Sequence, residues 1–366
     1  MTDDSGTPVA APPAHYGNPL GEQRMLARGD AVVDLSDRGV IALRGPDRLS
    51  WLDSLTSQSL TALAPGASAE TLLLDPTGRV EHVMHVLDDG ETAWLIVDGA
   101  ETAPLAAWLD RMRFMLRVEV AVADDLVVVG TLAETLPGAL AALAASPNGV
   151  PLVWVDPWTT VATGGHQYAA AADHPGADWT YREVLVPRGT DLSGFPRAGT
   201  LALEALRVAA WRPRWATEVD DRSIPHELDW LRSAVHLTKG CYRGQETVAK
   251  VHNLGHPPRR LVLLHLDGSE GVLPPPGSEV LRPAAADGDA DTAETVVGRV
   301  TTSAIHHDLG PIALAVVKRS VDPEAPLIVR AETDVAAAQE TIVPPDAGAS
   351  ANVPRIPRLG ATPRAT

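Results

Sequence analysis

The sequence predicts an α+β region followed by a small all-β domain, and three observations carry that class. From about residue 22 to 255, short β-branched runs interleave with segments whose apolar residues recur at helical spacing. After Gly255-His256-Pro257-Pro258 the helical spacing stops, and strand-like runs follow one another between Gly, Pro and Asp turns. With 366 residues and 45% hydrophobic content, the chain can bury two or three domain-sized cores.

Residues 1–21 are polar and dotted with proline, which predicts a disordered leader. A turn-rich cluster, Asp34-Leu35-Ser36-Asp37-Arg38-Gly39, precedes a strand at 40–43 that Gly45-Pro46 ends. Asp47 is placed to cap a helix carrying Leu49, Leu52 and Leu55. Residues 70–74 and 79–87 read as a hairpin around Asp75-Pro76-Thr77-Gly78, with Pro at i+1 and Gly at i+3 of a type I turn. A strand at 93–97 follows, then a helix over 103–116 with Leu105, Trp108, Leu109, Met112 and Met115 on its core face. Strands are expected at 118–123, 126–129, 151–155 and 167–171, and an Ala/Leu helix at 132–143. Residues 200–211 form a helix with Leu203, Leu206 and Ala210, which must end before Pro213. Pro225 suits the first turn of a second helix, where Leu228, Leu231 and Val235 share a face. Trp211, Trp215 and Trp230 lie close together here, as core residues or as walls for a flat heteroaromatic ligand. The all-β domain spans 256–343, with strands at 260–266, 278–281, 295–301, 312–317 and 327–331, and residues 344–366 read as a disordered tail.

Composition excludes several classes. A formal net charge of −17 argues against general nucleic-acid binding. No apolar run reaches the length of a membrane span or of a signal peptide, so a cytoplasmic protein, expected to be a monomer, fits best. One cysteine excludes an intrachain disulfide and any Cys-rich zinc or iron–sulfur ligand set from this chain alone. Gly164-Gly165 is not a dinucleotide fingerprint, and no P-loop occurs. Asp287-Gly288-Asp289-Ala290-Asp291 mimics the opening of a calcium loop, but Thr292 replaces the required Gly and Gly298 the bidentate Glu. His82 with His85, and His306 with His307, lack further ligands at a recognisable spacing.

Chemistry concentrates in Lys239-Gly240-Cys241-Tyr242-Arg243-Gly244-Gln245-Glu246-Thr247, which holds the single cysteine. Lys239 and Arg243 stand two residues either side of the thiol, a pattern that favours the thiolate. Between 239 and 260 the cations Lys239, Arg243, Lys250, Arg259 and Arg260 meet a single acid, Glu246. A basic, glycine-hinged island in an acidic chain points to an anion site.

The stretch from Lys239 to Glu246 resembles the signature of the YgfZ-type folate-binding proteins, a branch of the glycine-cleavage T-protein superfamily. The likeness runs over roughly residues 22–335. It includes Asp34-Leu35-Ser36, Gly45-Pro46-Asp47, the hairpin Asp75-Pro76-Thr77-Gly78-Arg79, Leu206-Arg207, Ile224-Pro225-His226-Glu227-Leu228, Gly298-Arg299-Val300 and Gly310-Pro311-Ile312. The resemblance implies two pseudo-related sheet and helix subdomains plus a C-terminal β-barrel around a central hole that binds tetrahydrofolate. It further implies an accessory role in maturing or repairing iron–sulfur proteins, with transient client or assembly partners. On that reading Cys241 is the reactive thiol, and Lys239, Tyr242, Arg243, Gln245, Glu246, Arg207 and Arg259 bind the folate, with Arg260 beside them.

Two positions depart from the superfamily. Aminomethyltransferases carry an aspartate just after the hairpin glycine, where this chain has Gly78-Arg79-Val80-Glu81-His82. The helix with Leu206-Arg207 continues Val208-Ala209, and Ala209 stands where members commonly carry an acid. The rival readings are a folate-dependent aminomethyl or methyl transferase, and a catalytic-cysteine enzyme with His236, His252 or His256 as base.

Overall fold

A computed structural model describes residues 11–170, 173–269, 271–283 and 294–351. The acidic run at 287–291, the first part of the leader and most of the tail lie outside the described residues. In chain order the elements are α1 (Pro19–Ala27), β1 (Val32–Asp34), β2 (Arg38–Arg44), α2 (Arg48–Leu55), β3 (Ser68–Leu74), β4 (Val80–Asp88), β5 (Thr92–Asp98), α3 (Gly99–Met112), β6 (Glu119–Val122) and β7 (Leu126–Leu132). They continue with α4 (Gly138–Ala141), β8 (Val153–Val155), β9 (Tyr181–Pro187), β10 (Arg197–Ala198), α5 (Thr200–Ala209), α6 (Trp215–Glu218) and α7 (Gln245–Leu254). The last six are β11 (Arg259–Leu266), β12 (Glu279–Arg282), β13 (Thr295–His306), β14 (Gly310–Lys318), β15 (Leu327–Val329) and β16 (Val335–Thr341).

Two five-stranded sheets, β3-β4-β5-β2-β6 and β10-β1-β7-β9-β8, precede a closed six-stranded barrel, β11-β14-β13-β12-β15-β16. The period of two along the strands explains how these units share cores. On β2, Ile41 and Leu43 pack under α2 and α3, whereas Val40 and Ala42 face the second sheet. On β11, Val262 and Leu264 fill the barrel, whereas Leu261 and Leu263 join a core with Trp211, Leu228, Trp230 and Tyr242. Strand β14 divides likewise, Ala313 and Ala315 inward and Ile312 and Leu314 outward.

Several expectations change. Residues 132–143 are not a helix: Leu132 ends β7, and Pro137 leaves only the short α4. Residues 225–235 form one 3-10 turn, Pro225–Leu228, because Asp229 takes a left-handed conformation at φ 56°. Its apolar positions are buried all the same, and Ser57 and Gln58 bond the carbonyls of Ala234 and Ser233. No strand forms over 167–170, while β9 and β16 were not anticipated. Met115 lies past the end of α3 and is 97% exposed, so it is no core residue. Asp47 does not cap α2 with its side chain but pairs with Arg117 at 2.6 Å. Part of the expected leader is packed on the fold, since α1 starts at Pro19 and the carbonyls of Pro13 and Ala14 accept from Thr200 and Leu201. At the other end, Ala347 is buried and Ser350 bonds to the carbonyl of His252, so residues 344–351 of the expected tail pack on the fold.

Candidate functional site

The largest concentration of buried charge lines a cavity where both sheets meet α5 and the segment after it. Arg38 of β2, Asp98 of β5, Glu204 and Arg207 of α5, and Arg212, Arg214 and Trp215 form its walls, with His85, Trp179 and Tyr181. Each guanidinium is matched. Arg212 reaches Glu70 at 2.8 Å and Asp156 at 3.0 Å. Arg207 reaches Glu204 at 2.8 Å and Glu218 at 2.9 Å, and also bonds to Thr302 of the barrel. Arg214 reaches Asp98 at 2.5 Å and Glu204 at 3.5 Å. Arg38 lies 3.6 Å from Glu183 and 3.9 Å from Asp98. Burial pushes the Asp98 carboxyl up, but Arg38 and Arg214 outweigh it and hold it at about 2. For Glu183 the same contest, won by His85 and Arg38, also ends at about 2. Among the described residues that line the cavity, two buried guanidinium nitrogens keep no partner: Arg38 Nε and Arg212 Nη1. A buried donor without an acceptor is costly. The cavity volume is about 40 Å³, room for a few waters.

The cysteine loop lies elsewhere, packed on the β3–β4 hairpin. Gly244 takes φ 83° and Gly78 φ 84°, and their bare backbones touch. A Cβ on Gly244 would come 2.7 Å from the Asp75 carbonyl oxygen, and one on Gly78 would come 2.7 Å from Cβ of Thr247. Gly240, by contrast, faces open space. Gly244→Ala should therefore cost about 1–2 kcal/mol from the left-handed backbone alone, and more from the contact. Gly240→Ala should be neutral; equal denaturation midpoints for the two variants would refute this packing.

Cys241 is exposed. Neither flanking cation serves it. The Lys239 ammonium is buried under the carbonyls of Asp53, Thr56 and Gln58 at 2.6–2.8 Å and the Asp53 carboxylate at 3.3 Å. It also lies 5.4 Å from the Tyr242 ring, which is itself core. Arg243 grips Glu81 at 2.5 Å and stacks over Trp108 of α3. Gln245 ties the loop to itself through the carbonyls of Lys239 and Gly240, and Glu246 points to solvent. Arg259 is held by Asp220 at 2.5 Å and Glu227 at 2.8 Å, and Arg260 is buried on the Val321 carbonyl and Gln339. The basic island is therefore not a free cationic patch. Of the sequence-derived residues, Arg207 reaches the cavity, as does Trp215, one of the three tryptophans offered as a wall.

Glu81 has a place of its own. Leu73 pairs with His82 and Leu74 with Val80, so Glu81 is the extra residue of a β-bulge. Bulges re-aim a side chain, and here the carboxylate is turned onto Arg243. The Glu81 carbonyl accepts from the indole of Trp215, at 3.0 Å. His82 and His85 are likewise spoken for, by Glu101 at 2.8 Å and Glu183 at 2.7 Å. Among the described residues, no three His, Cys, Asp or Glu side chains group to hold a metal ion.

Sequence reasoning missed Arg38, Arg212, Arg214 and Glu204. The one local signal was Arg212-Pro213-Arg214-Trp215 after an apolar helix; the partners Glu70, Asp98 and Asp156 are far away in the chain.

No family model matches the chain. It is 27% identical over 355 residues to an aminomethyltransferase of Symbiobacterium thermophilum, covering 90% of each. It is also 27% identical over 325 residues to an aminomethyltransferase of Nostoc sp. (strain PCC 7120), covering 83% of this chain and 81% of that one. Among solved structures, the glycine cleavage system aminomethyltransferase T from Bartonella henselae matches with a TM-score of 0.65 and 16% identity, covering 88% of each chain. Two five-stranded sheets followed by a six-stranded barrel thus make an aminomethyltransferase-like fold. The chain is similar to the T-proteins of the glycine cleavage system over most of its length.

Proposed function

We propose that this protein binds a reduced folate, tetrahydrofolate or a one-carbon derivative, in the central cavity, and acts as an accessory factor in iron–sulfur protein maturation or repair. The observation that carries the reading is the pair of orphaned donors, Arg38 Nε and Arg212 Nη1, among aromatic walls. A pterin is flat and offers a carbonyl and ring nitrogens as acceptors to such donors. Its amino group needs an acceptor in return. Glu204, part-exposed on α5, supplies a carboxylate from the same helix that lacks one at Ala209. At about 40 Å³ the cavity admits a bicyclic ring only when a lining side chain moves. Of the aromatic walls, Trp215 and His85 are part-buried, whereas Trp179 and Tyr181 are core.

Aminomethyl transfer is the weaker reading. No aspartate follows the hairpin glycine Gly78; the first acid after it is Glu81, whose carboxylate is engaged by Arg243, and misplacing a catalytic group by about 1 Å is already costly. The accessory role rests on the likeness of the cysteine loop together with the exposure of Cys241. One thiol cannot hold a cluster alone, so any cluster it touches is shared with a partner. Titration with 5-formyltetrahydrofolate, followed by calorimetry and tryptophan fluorescence, should show binding. Cys241→Ser should keep that binding and lose the rescue of iron–sulfur enzyme activity in cells lacking the protein. No heat at millimolar folate, or glycine-cleavage turnover that Glu81→Gln abolishes, would overturn the reading.

A further inference from the structure

We infer that the cavity and the cysteine loop are mechanically coupled, so that filling the cavity displaces Trp215 and, through the Glu81 bulge, releases Arg243 beside Cys241. The inference rests on the folate reading only for the identity of the ligand.

Three contacts and a two-residue step along the chain make the path. Trp215 lines the cavity, and its indole N–H donates to the Glu81 carbonyl at 3.0 Å. Glu81 has no cross-strand partner in the register of β3 and β4, so its backbone can shift without breaking the ladder. Its carboxylate holds Arg243 at 2.5 Å, an ion pair whose side chains are 37% and 31% exposed. Solvent competes for such a pair, so a small displacement suffices to break it. Arg243 stands two residues from Cys241, with Gly240 free in open space on the other side. A bicyclic ring cannot enter about 40 Å³ without moving a wall; Trp179 and Tyr181 are core, and His85 is held by Glu183 at 2.7 Å and stacked on Trp154, which leaves Trp215. Of the two cations that flank the thiol in sequence, the freed Arg243 guanidinium is then the one able to turn to it, because Lys239 stays bound by three carbonyls. A neighbouring cation stabilises the attacking thiolate and speeds its reactions.

Cys241, the only cysteine, is its own reporter. Its alkylation by iodoacetamide should be timed in the full chain, in Trp215→Phe and in Glu81→Gln, each with and without 5-formyltetrahydrofolate. Binding is measured separately by calorimetry, and folding by melting temperature. Folate should speed labelling of the unaltered protein by about threefold or more. Trp215→Phe keeps an aromatic wall but not the N–H, and Glu81→Gln weakens the grip on Arg243. Both should label fast without ligand and respond little to it. Ligand-free rates equal to that of the unaltered protein, or an undiminished folate response in both variants, would overturn the coupling. Absence of calorimetric binding would instead sink the folate reading, while the ligand-free rates still decide the coupling.

Discussion

Replacing Arg212 by methionine is expected to cost about 3–5 kcal/mol of stability, the range for removing one partner of a buried ion pair. Arg212 is 3% exposed, and its partners Glu70 and Asp156 are 1% and 2% exposed. Methionine fills part of the volume but leaves two carboxylates dry and without a counter-ion. Their other bonds, from Trp230 and Ser233 to Glu70 and from Trp179 to Asp156, satisfy oxygens without neutralising charge. Urea unfolding should show a lower midpoint with an unchanged slope. Adding Glu70→Gln and Asp156→Asn should restore much of the loss. A loss below about 1 kcal/mol, the scale of exposed pairs, would mean that the cavity charges are wet.

The second large effect concerns pH. Asp229 is fully buried; one carboxylate oxygen accepts from the Tyr168 amide at 2.8 Å and the other has no partner. Burial raises its pKa from 3.8 to about 7, against the amide bond and the more distant Arg232. An acid raised on folding contributes stability that is full below pH 4 and lost as pH rises through 7. A shift of that size corresponds to roughly 3–4 kcal/mol. Asp229→Asn keeps the acceptor and tolerates the left-handed backbone. The variant should match the unaltered protein near pH 4 and exceed it near pH 8. His226, held down to about 3 chiefly by burial, slopes the opposite way between its two states. His166 and His252, with Tyr168 between them, complete the surrounding cluster. The comparison is therefore made between variants at each pH, which cancels the histidines. Parallel stability curves for the two proteins would show that Asp229 does not titrate in this range.

Much of the fold was legible because period and punctuation agree. The hairpin around Asp75-Pro76-Thr77-Gly78, the face of α5 with Leu203 and Leu206, and the strands of the barrel all follow from spacing. Residues 225–235 misled because their apolar spacing fits a helix, while a side-chain bond across the fold holds Asp229 in a turn. The cysteine loop was legible as a motif, but its electrostatics were not. Counting charge along the chain made Lys239, Arg243 and Arg259 free cations; in space they are matched by Asp53, Glu81, Asp220 and Glu227. Arg243 and Glu81 are 162 residues apart, beyond the reach of any local pattern.

The two-faced strands β11 and β14 carry a consequence for how the molecule comes apart. Their outward rows, Leu261, Leu263, Ile312 and Leu314, belong to the same core as Trp230 and Tyr242. A cut between α7 and β11 would strip both fragments of that shared wall and leave each with a sticky apolar flank. The boundary that composition draws at residue 256 is thus a seam in sequence texture but not a line of cleavage in the folded solid. Melting one side removes the support of the other, which makes the barrel a partner in the cooperativity of the whole chain rather than an appendage to it.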